Sequence, residues 1–140
     1  GARAVAVEAS AGMITVAGRI AARYPDRLEL VQTDILEYGP GEPLDAICTN
    51  LVLHNIPPGP KGELLRRLND WLVPGGVFVW GDLVRQPDAT LEARMVAFRE
   101  RFARDHGCDE ALVEENFRKE GTTDHPLTVP DMVRALAAAG

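Results

Sequence analysis

A polar tip at the end of an apolar run is the first stretch of the sequence that could do chemistry. The segment Leu44–Ile56 reads LDAICTNLVLHNI and carries Asn50, His54 and Asn55 just before a Pro-Pro pair. An apolar run bounded by turn signals predicts a strand that is buried on both faces. Open parallel sheets bind ligands at the C-terminal ends of their strands, so this tip predicts a binding site. His54 is interpreted either as an oriented neutral histidine or as a general base.

Two acidic residues follow other predicted strands and add to the same site. Glu8 ends the run AVAV, and a carboxylate there can accept hydrogen bonds from both vicinal hydroxyls of a ribose. Asp34 ends the alternating run RLELVQT, where it can accept from an exocyclic amine, while Ile35 and Leu36 can pack on a flat ring. Each acid alone also fits a solvated or helix-capping role. Together with the polar tip, they predict nucleoside binding.

The elements that must position these residues alternate along the chain. Their order is strand, helix, strand, loop, strand, helix, strand, which predicts an α/β fold with a parallel sheet. The four predicted strands are Arg3–Val7, Arg27–Thr33, Leu44–Leu51 and Val77–Trp80. The first helix should span Ala11–Tyr24 and bury the stripe of Met13, Val16, Ala17, Ile20, Ala21 and Tyr24. The second should begin near Pro60, bury Leu64, Leu65, Leu68, Trp71 and Leu72, and end at Pro74-Gly75-Gly76.

The chain beyond Gln86 has a helical pattern. Asp88 predicts the cap of a helix whose inward residues are Leu91, Met95, Phe98 and Phe102. A short helix Glu110–Arg118 with Leu112, Val113 and Phe117 inward, a loop Gly121–Pro126 and a last helix capped by Thr128 complete the prediction. We therefore expect residues 1–86 to form a core and residues 87–140 to form a helical cap of the same domain.

Composition narrows the class of protein. The 140 residues are 46% hydrophobic and 26% charged, with a net charge of −6, which argues against a general nucleic-acid surface or an anionic membrane as partner. Cys48 is predicted to be a small core residue, and no cysteine spacing predicts a disulfide framework or a metal site. No apolar run reaches the ~18 residues that a membrane-spanning helix needs. The expectation is a soluble cytoplasmic protein, with homo-oligomerisation left open.

The motifs in this order resemble one family. The series VAVEAS, Met13, LVQTDI, LDAICTNLVLHNI and LLRRLNDWLVPGGVFVWGDL is similar to class I S-adenosylmethionine-dependent methyltransferases, up to Asp82. The tail, FRERFARDHGCDEALVEENFRKE followed by TTDHPLTVPDMVRALAAAG, is loosely similar to carboxy-SAM synthase and related members. The resemblance implies a Rossmann-like, doubly wound, mostly parallel sheet, here incomplete with about four strands, and a C-terminal helical cap.

The resemblance also implies a cofactor and residue roles. The cofactor would be S-adenosylmethionine, and the methyl acceptor a small molecule. The implied cofactor residues are Glu8 on the ribose hydroxyls, Met13 and Ile35 on the adenine ring, Asp34 on the adenine amine, and Asn50 and Leu51 on the methionine portion. His54 and Asn55 would lie on the acceptor side. Methyl transfer needs mainly alignment and exclusion of water, so no indispensable nucleophile is expected on the protein. His54 is the one candidate catalytic residue, as a general base.

Two other readings stay open at this point. A nicotinamide-dependent oxidoreductase also ends its second strand in an acid. That family, however, lacks the Asp34-Ile35 position and the PGG turn before a strand, and its fingerprint glycines are not visible here. A non-catalytic methyltransferase-like remnant could act as a binding module. The sequence upstream of Gly1 would discriminate, because a glycine-rich DxGxGxG-like loop there favours the enzyme.

The family's first strand and glycine-rich loop would lie before Gly1, and its last strands beyond Gly140. The strands that end at Glu8 and Asn50 would then lack a ladder partner, and each unpaired buried group costs about 1–3 kcal/mol against a total stability of ~5–15 kcal/mol. We therefore expect the 140-residue chain alone to have low stability, weak cofactor binding and no activity. Chemical denaturation and calorimetric titration check this; cooperative unfolding with micromolar S-adenosylmethionine affinity would contradict it.

Overall fold

The computed structural model describes residues 1–120 and 122–140. Gly121, which opens the predicted loop Gly121–Pro126, lies outside the described residues. The chain divides into two compact units, Gly1–Gly41 and Glu42–Gly140. Each unit contains one pair of parallel strands with helices, which confirms the α/β class and the total of four strands predicted from the sequence.

The first unit is a strand–helix–strand unit. Strand β1 (Ala4–Glu8) is followed by helix α1 (Ala11–Ala21) and strand β2 (Leu28–Gln32). The two strands pair in parallel without a shift, from Ala4 opposite Leu28 to Glu8 opposite Gln32. The Ser10 hydroxyl accepts the Met13 N–H and so starts α1, as its position before the helix predicts. Helix α1 ends three residues earlier than predicted.

The predicted burial of the α1 stripe is wrong for most of its members. The main described neighbours of α1 are the strands of its own unit, and much of the apolar side of the helix is left exposed. The exposed members are Met13, Val16, Ile20 and Tyr24. The periodicity therefore predicted the helix correctly. It did not predict the burial of its apolar side, which stays exposed at these four residues of the described structure.

The second unit is built on strands β3 (Leu44–Asn50) and β4 (Leu72–Gly81), which pair in parallel. Pairing is regular from Ala46 opposite Val77 to Asn50 opposite Gly81, and a register shift separates it from the first pair. Strand β4 starts five residues before the predicted strand. Gly75 has the predicted positive φ, at 83°, but it lies in the irregular start of β4 rather than at a helix end.

Helix α2 (Pro58–Trp71) connects the two strands and contributes more buried apolar residues than any other described helix. Its first turn contains Pro58 and Pro60, where missing N–H groups cost nothing. The buried apolar residues of the unit are Leu53, Ile56, Leu64, Leu65, Leu68, Val113 and Met132. The predicted burial of Leu64, Leu65 and Leu68 is thus confirmed; Trp71 and Leu72 are only half-buried.

The prediction that β3 is buried on both faces is wrong. Ala46 and Cys48 are exposed, whereas Ile47 and Thr49, which alternate with them, are half-buried. Alternation of this kind means that the described elements cover one face of the strand only. Cys48 is therefore an exposed thiol on the uncovered face rather than a core residue.

Three helices complete the second unit: α3 (Ala89–Asp105), α4 (Glu110–Lys119) and α5 (Val129–Ala139). The predicted caps are confirmed, because Asp88 accepts the Leu91 N–H and Thr128 accepts the Asp131 N–H. Gly107, with φ of 75°, follows the end of α3. In the described residues, no helix is long and apolar enough to cross a membrane.

The predicted burial of the apolar stripe on α3 is wrong. Leu91, Met95, Phe98 and Phe102 are all exposed, because the main described neighbour of α3 is α4. The two helices are joined by a bidentate pair in which the Arg99 guanidinium donates to both Glu120 oxygens, at 2.6 and 2.8 Å. On α4, Val113 is buried as predicted, Phe117 is half-buried, and Leu112 is exposed.

Replacing Leu64 with Ala should destabilise the protein by about 2–5 kcal/mol, because the side chain is 1% exposed and its loss leaves a cavity. Urea denaturation followed by circular dichroism measures the change. The matched control is Leu112→Ala on α4, where the leucine is 57% exposed and a change within about 0.5 kcal/mol is expected. Equal effects of the two substitutions would contradict the described core.

Candidate functional site

The two strand-end acids of the first unit lie at the same edge. Glu8 is the last residue of β1 and pairs with Gln32, and Asp34 follows two residues later; the Thr33 N–H donates to the Glu8 carbonyl at 3.2 Å. The structure therefore brings Glu8 and Asp34 together at the carboxyl edge of the β1–β2 pair, as the sequence predicted.

Both carboxylates are oriented by a local backbone donor. Glu8 Oε1 accepts the Ser10 N–H at 2.7 Å, and Asp34 Oδ1 accepts the Leu36 N–H at 2.8 Å. In the described residues, neither Glu8 Oε2 nor Asp34 Oδ2 has a hydrogen-bond partner in the protein. Each acid thus presents one fixed oxygen and one acceptor oxygen that is open to a ligand.

Two apolar residues accompany these acids. Met13 lies in the first turn of α1, the helix that starts at this edge, and its side chain is 56% exposed. Ile35 follows Asp34 directly and is half-buried. Both residues therefore lie at the same end of the unit as the two acids, and their contact with a flat ring stays a prediction.

In the second unit, the polar tip begins at Asn50, and the residue that follows has an unusual backbone conformation. Asn50 ends β3, and a side chain at Gly81 would approach its Oδ1 to 3.1 Å, so the absence of a Cβ there makes room for the Asn50 amide. Leu51 has a φ of 55°, and no other described non-glycine residue has a positive φ. Such a conformation costs of the order of 1 kcal/mol or more and often marks a functional turn.

The turn after Leu51 is held by hydrogen bonds of its own. The Leu51 N–H donates to the Gly81 carbonyl at 2.9 Å, and the Asn55 amide donates to the Leu51 and Val52 carbonyls at 3.3 Å. The Asn55 amide N–H groups are therefore used within the loop. The Leu51 side chain, in contrast, is exposed.

His54 contacts a residue that the sequence reasoning did not select. His54 follows β3 and Asp82 follows β4, and because the strands are parallel both lie at the same edge. The Asp82 side chain is 1% exposed, and its Oδ1 lies 2.5 Å from His54 Nδ1. Asp82 Oδ2 accepts the His54 backbone N–H at 3.0 Å and the Trp80 indole N–H at 3.1 Å.

A buried lysine completes this cluster. Lys61, on the first turns of α2, is 3% exposed, and its Nζ donates to the His125 carbonyl at 2.5 Å. The His125 N–H in turn donates to the His54 carbonyl at 2.5 Å. Burial lowers the pKa of the Lys61 amine, and the negative charge of Asp82 partly opposes that effect.

Sequence reasoning therefore found His54 but missed Asp82, Lys61 and His125. A usable signal existed for Asp82, since it is an acid at the carboxyl end of the strand paired with β3, directly after Gly81. Lys61 and His125 gave no such signal, because they are 64 residues apart and meet only through the fold. No group of three or more His, Cys, Asp or Glu residues in the described chain is arranged to hold a metal ion.

The model of one protein family matches the part of the chain that contains most of these sequence motifs. The model of the family described as "Methyltransferase domain" matches residues 1–76, which is more than half of the chain. The chain belongs to this family. The matched range includes β1, β2, β3 and α2, and therefore every residue that the sequence analysis assigned to the cofactor.

One curated relative is the carboxy-S-adenosyl-L-methionine synthase of Wolinella succinogenes, which is 24% identical over 138 residues. The match covers 99% of this chain and 57% of the relative, so the chain spans little more than half of that protein. It extends through the helical tail, which agrees with the resemblance noted from the tail sequence.

Solved structures confirm the fold. The complex of DhpI with SAM and HEP is 28% identical, with a TM-score of 0.53, and covers 66% of this chain and 42% of that one. The apo form of the S-adenosylmethionine-dependent methyltransferase SibL is 17% identical, with a TM-score of 0.66, and covers 99% and 37% of the respective chains. The Rossmann-like methyltransferase fold predicted from the sequence is thus confirmed.

The buried position of Lys61 predicts a pH dependence of stability. Its folded-state pKa lies below the ordinary value of 10.5, so just below that pH the unfolded chain binds more protons, and stability rises as the pH rises. As the pH rises toward 10.5, the free energy of unfolding of the protein should therefore increase relative to that of Lys61→Met. Denaturant titrations at several pH values measure the difference.

Lys119→Met is the matched control, because Lys119 is half-exposed and pairs with Glu115 on the surface of α4. Its stability curve should keep the same pH dependence as the unmodified protein. Parallel curves for Lys61→Met and the unmodified protein would show that Lys61 does not carry the effect.

Proposed function

We propose that the chain carries the S-adenosylmethionine-binding part of an enzyme that transfers a methyl group to a small organic acceptor. Residues 1–86 would form the core and residues 87–140 a helical cap of the same domain. Membership of the methyltransferase family supports the cofactor class, and DhpI, a solved structural relative, was determined in complex with SAM.

This proposal rests on the two carboxylates at the carboxyl edge of β1 and β2, those of Glu8 and Asp34. In each, one oxygen accepts a backbone N–H and the other has no described partner. A ribose offers two vicinal hydroxyl donors and an adenine offers an amine donor, and the chain offers acceptor oxygens on Glu8 and Asp34. A backbone N–H fixes each carboxylate, so little side-chain entropy is lost on binding. Glu8 would accept from the ribose and Asp34 from the adenine amine.

Two apolar residues at the same edge would contact the adenine ring. Met13 would lie on the adenine ring, and the exposure of its thioether in the first turn of α1 leaves it available. Ile35, half-buried beside Asp34, would supply a second apolar surface. Flat aromatic ligands are held by such contacts, with few polar groups setting their orientation.

Asn50 and Leu51 would contact the methionine portion of the cofactor. The Leu51 N–H is already bonded to Gly81, so Leu51 has its exposed side chain and the second lone pair of its carbonyl to offer. Asn50 ends its strand exposed, with a side-chain amide that can donate and accept.

Bound S-adenosylmethionine supplies a methyl group on a sulfonium, which is already an activated leaving group. The chain's residues then have to bind, orient and exclude water, and His54 is the group that could accept a proton. A second candidate is chemistry on a carboxylated form of the cofactor, because the Wolinella succinogenes relative is a carboxy-S-adenosyl-L-methionine synthase.

Glu8→Gln and Asp34→Asn should each weaken S-adenosylmethionine binding by about tenfold or more, because a hydrogen bond to a charged group is worth about 1.5–3 kcal/mol. Isothermal titration calorimetry of the protein with S-adenosylmethionine measures this, with carboxy-S-adenosylmethionine and NAD as parallel ligands. Tighter binding of the carboxylated ligand would favour the second candidate, and binding of NAD alone would overturn the proposal.

Glu29→Gln on β2 and Asp26→Asn in the turn before β2 are the matched controls in the same unit. Both residues are exposed and lie away from the carboxyl edge. Their affinities should stay within about twofold of the unmodified protein. A loss as large as that of Glu8→Gln would point to a general effect of net charge.

A further inference from the structure

The Asp82 carboxylate is fully supplied with donors inside the second unit. Oδ1 receives the Leu83 N–H at 2.9 Å and contacts His54 Nδ1 at 2.5 Å, and Oδ2 receives the His54 N–H and the Trp80 indole N–H. A carboxylate has about four lone-pair positions, and all of them are occupied here. The side chain is 1% exposed, so water does not compete for these bonds.

This arrangement fixes the tautomer of His54. An ionised carboxylate can only accept hydrogen bonds, so the hydrogen between His54 Nδ1 and Asp82 Oδ1 belongs to the imidazole. In the neutral ring, Nε2 then carries the lone pair. A histidine held in this way has a single basic atom, and its identity is set by the carboxylate.

The basic atom is accessible. His54 Nε2 has no hydrogen-bond partner among the described residues, and Thr49 Oγ1 is the one buried side-chain polar atom there that lacks a partner. Nε2 is therefore open to solvent, in agreement with the 13% exposure of the side chain. Its ring is fixed at Nδ1, and its backbone is fixed at both the N–H and the carbonyl.

We propose that Asp82 is a positioning residue that holds His54 as an Nδ1–H tautomer, so that Nε2 takes the proton of a hydroxyl or amine methyl acceptor. This inference rests on the proposed function and narrows its acceptor class to molecules whose nucleophilic heteroatom carries a proton. A buried carboxylate behind a partly exposed histidine is the arrangement used in acid–base catalysis to orient the ring and stabilise its cation.

The proton balance is simple. As the acceptor heteroatom bonds to the methyl carbon, the carbon–sulfur bond breaks and its electron pair stays on sulfur, while the heteroatom's proton moves to His54 Nε2. The imidazolium that results is stabilised by Asp82 and returns the proton to solvent. The charged or titratable groups around His54 are Asp82 beyond β4, Lys61 on α2 and His125 before α5.

Long-range ¹H–¹⁵N spectroscopy of the histidine rings in the full chain tests the tautomer directly. The chain has 3 histidines, so His54→Asn identifies the His54 signals. At a pH where the ring is neutral, the unmodified protein should show the His54 proton on Nδ1, and Asp82→Asn should shift the ring toward the Nε2–H form or a mixture. An Nε2–H ring in the unmodified protein, or no change in Asp82→Asn, would overturn the role of Asp82.

Turnover tests the role of Nε2. S-adenosylhomocysteine release by the complete enzyme, of which this chain carries the cofactor-binding part in the proposed function, is measured across pH with a panel of small hydroxyl and amine acceptors. In the His54→Asn variant, the amide nitrogen can replace Nδ1 as the donor to Asp82, while the base is removed. The variant should bind S-adenosylmethionine normally. Its rate should fall by about 10²–10⁴-fold, and the acidic limb of its pH profile should disappear. His106→Asn, at the exposed end of α3, should match the unmodified protein.

The two proposals fail separately. If the complete enzyme does not bind S-adenosylmethionine, the proposed function is wrong, whereas the spectroscopy of this chain still decides what Asp82 does to His54. If the cofactor binds but His54→Asn keeps the rate and pH profile, His54 is only a structural link and the inference is wrong. If the cofactor binds and no hydroxyl or amine acceptor is methylated, the assigned acceptor class is wrong.

Discussion

The buried carboxylate of Asp82 is the interaction on which the carboxyl edge of the second unit depends. It receives donors from the loop after β3, from Trp80 on its own strand and from the backbone that follows it. A buried acceptor that lost these donors would cost about 1–3 kcal/mol for each missing bond. The loop that begins with the positive φ of Leu51 is therefore held in place by its attachment to Asp82, which offsets the backbone strain.

The same attachment explains how the tail contributes to the site. The segment before α5 is fixed by Lys61 Nζ on the His125 carbonyl and by the His125 N–H on the His54 carbonyl. Beyond it, the Arg85 N–H donates to the Leu127 carbonyl at 3.0 Å, which ties the end of β4 to the start of α5. Helix α2, the strand-end loop and the tail are thus connected by polar contacts around one buried acid.

Sequence reasoning succeeded where structure is determined by neighbours along the chain. The caps Ser10, Asp88 and Thr128 were predictable because each accepts a backbone N–H three residues ahead. Glu8 and Asp34 could be placed at one edge because parallel strands bring their carboxyl ends together. Asp82 and His54, 28 residues apart, meet for the same reason, and the sequence reasoning weighed only one of the two strand ends.

Sequence reasoning failed where the predicted burial of a residue depended on which other element packs against it. Phe98 and Phe102 on α3 have core-like spacing, yet each is 52% exposed, and Phe102 stacks on His106 of its own helix. Apolar periodicity predicts which face of a helix is apolar, but it does not identify the element that packs against that face. The same limit applies to Cys48 on β3, whose face is left uncovered by the described residues.

Lys61 gives the cluster a charge balance that bears on its chemistry. With Lys61 protonated, Asp82 ionised and His54 neutral, the three groups sum to zero, and protonation of His54 brings the sum to only +1. Without the carboxylate, the same proton transfer would add a second positive charge to the cluster, where like charges repel. In the proposed step, Asp82 would therefore do more than choose the tautomer of His54, because its negative charge would also offset that of the imidazolium.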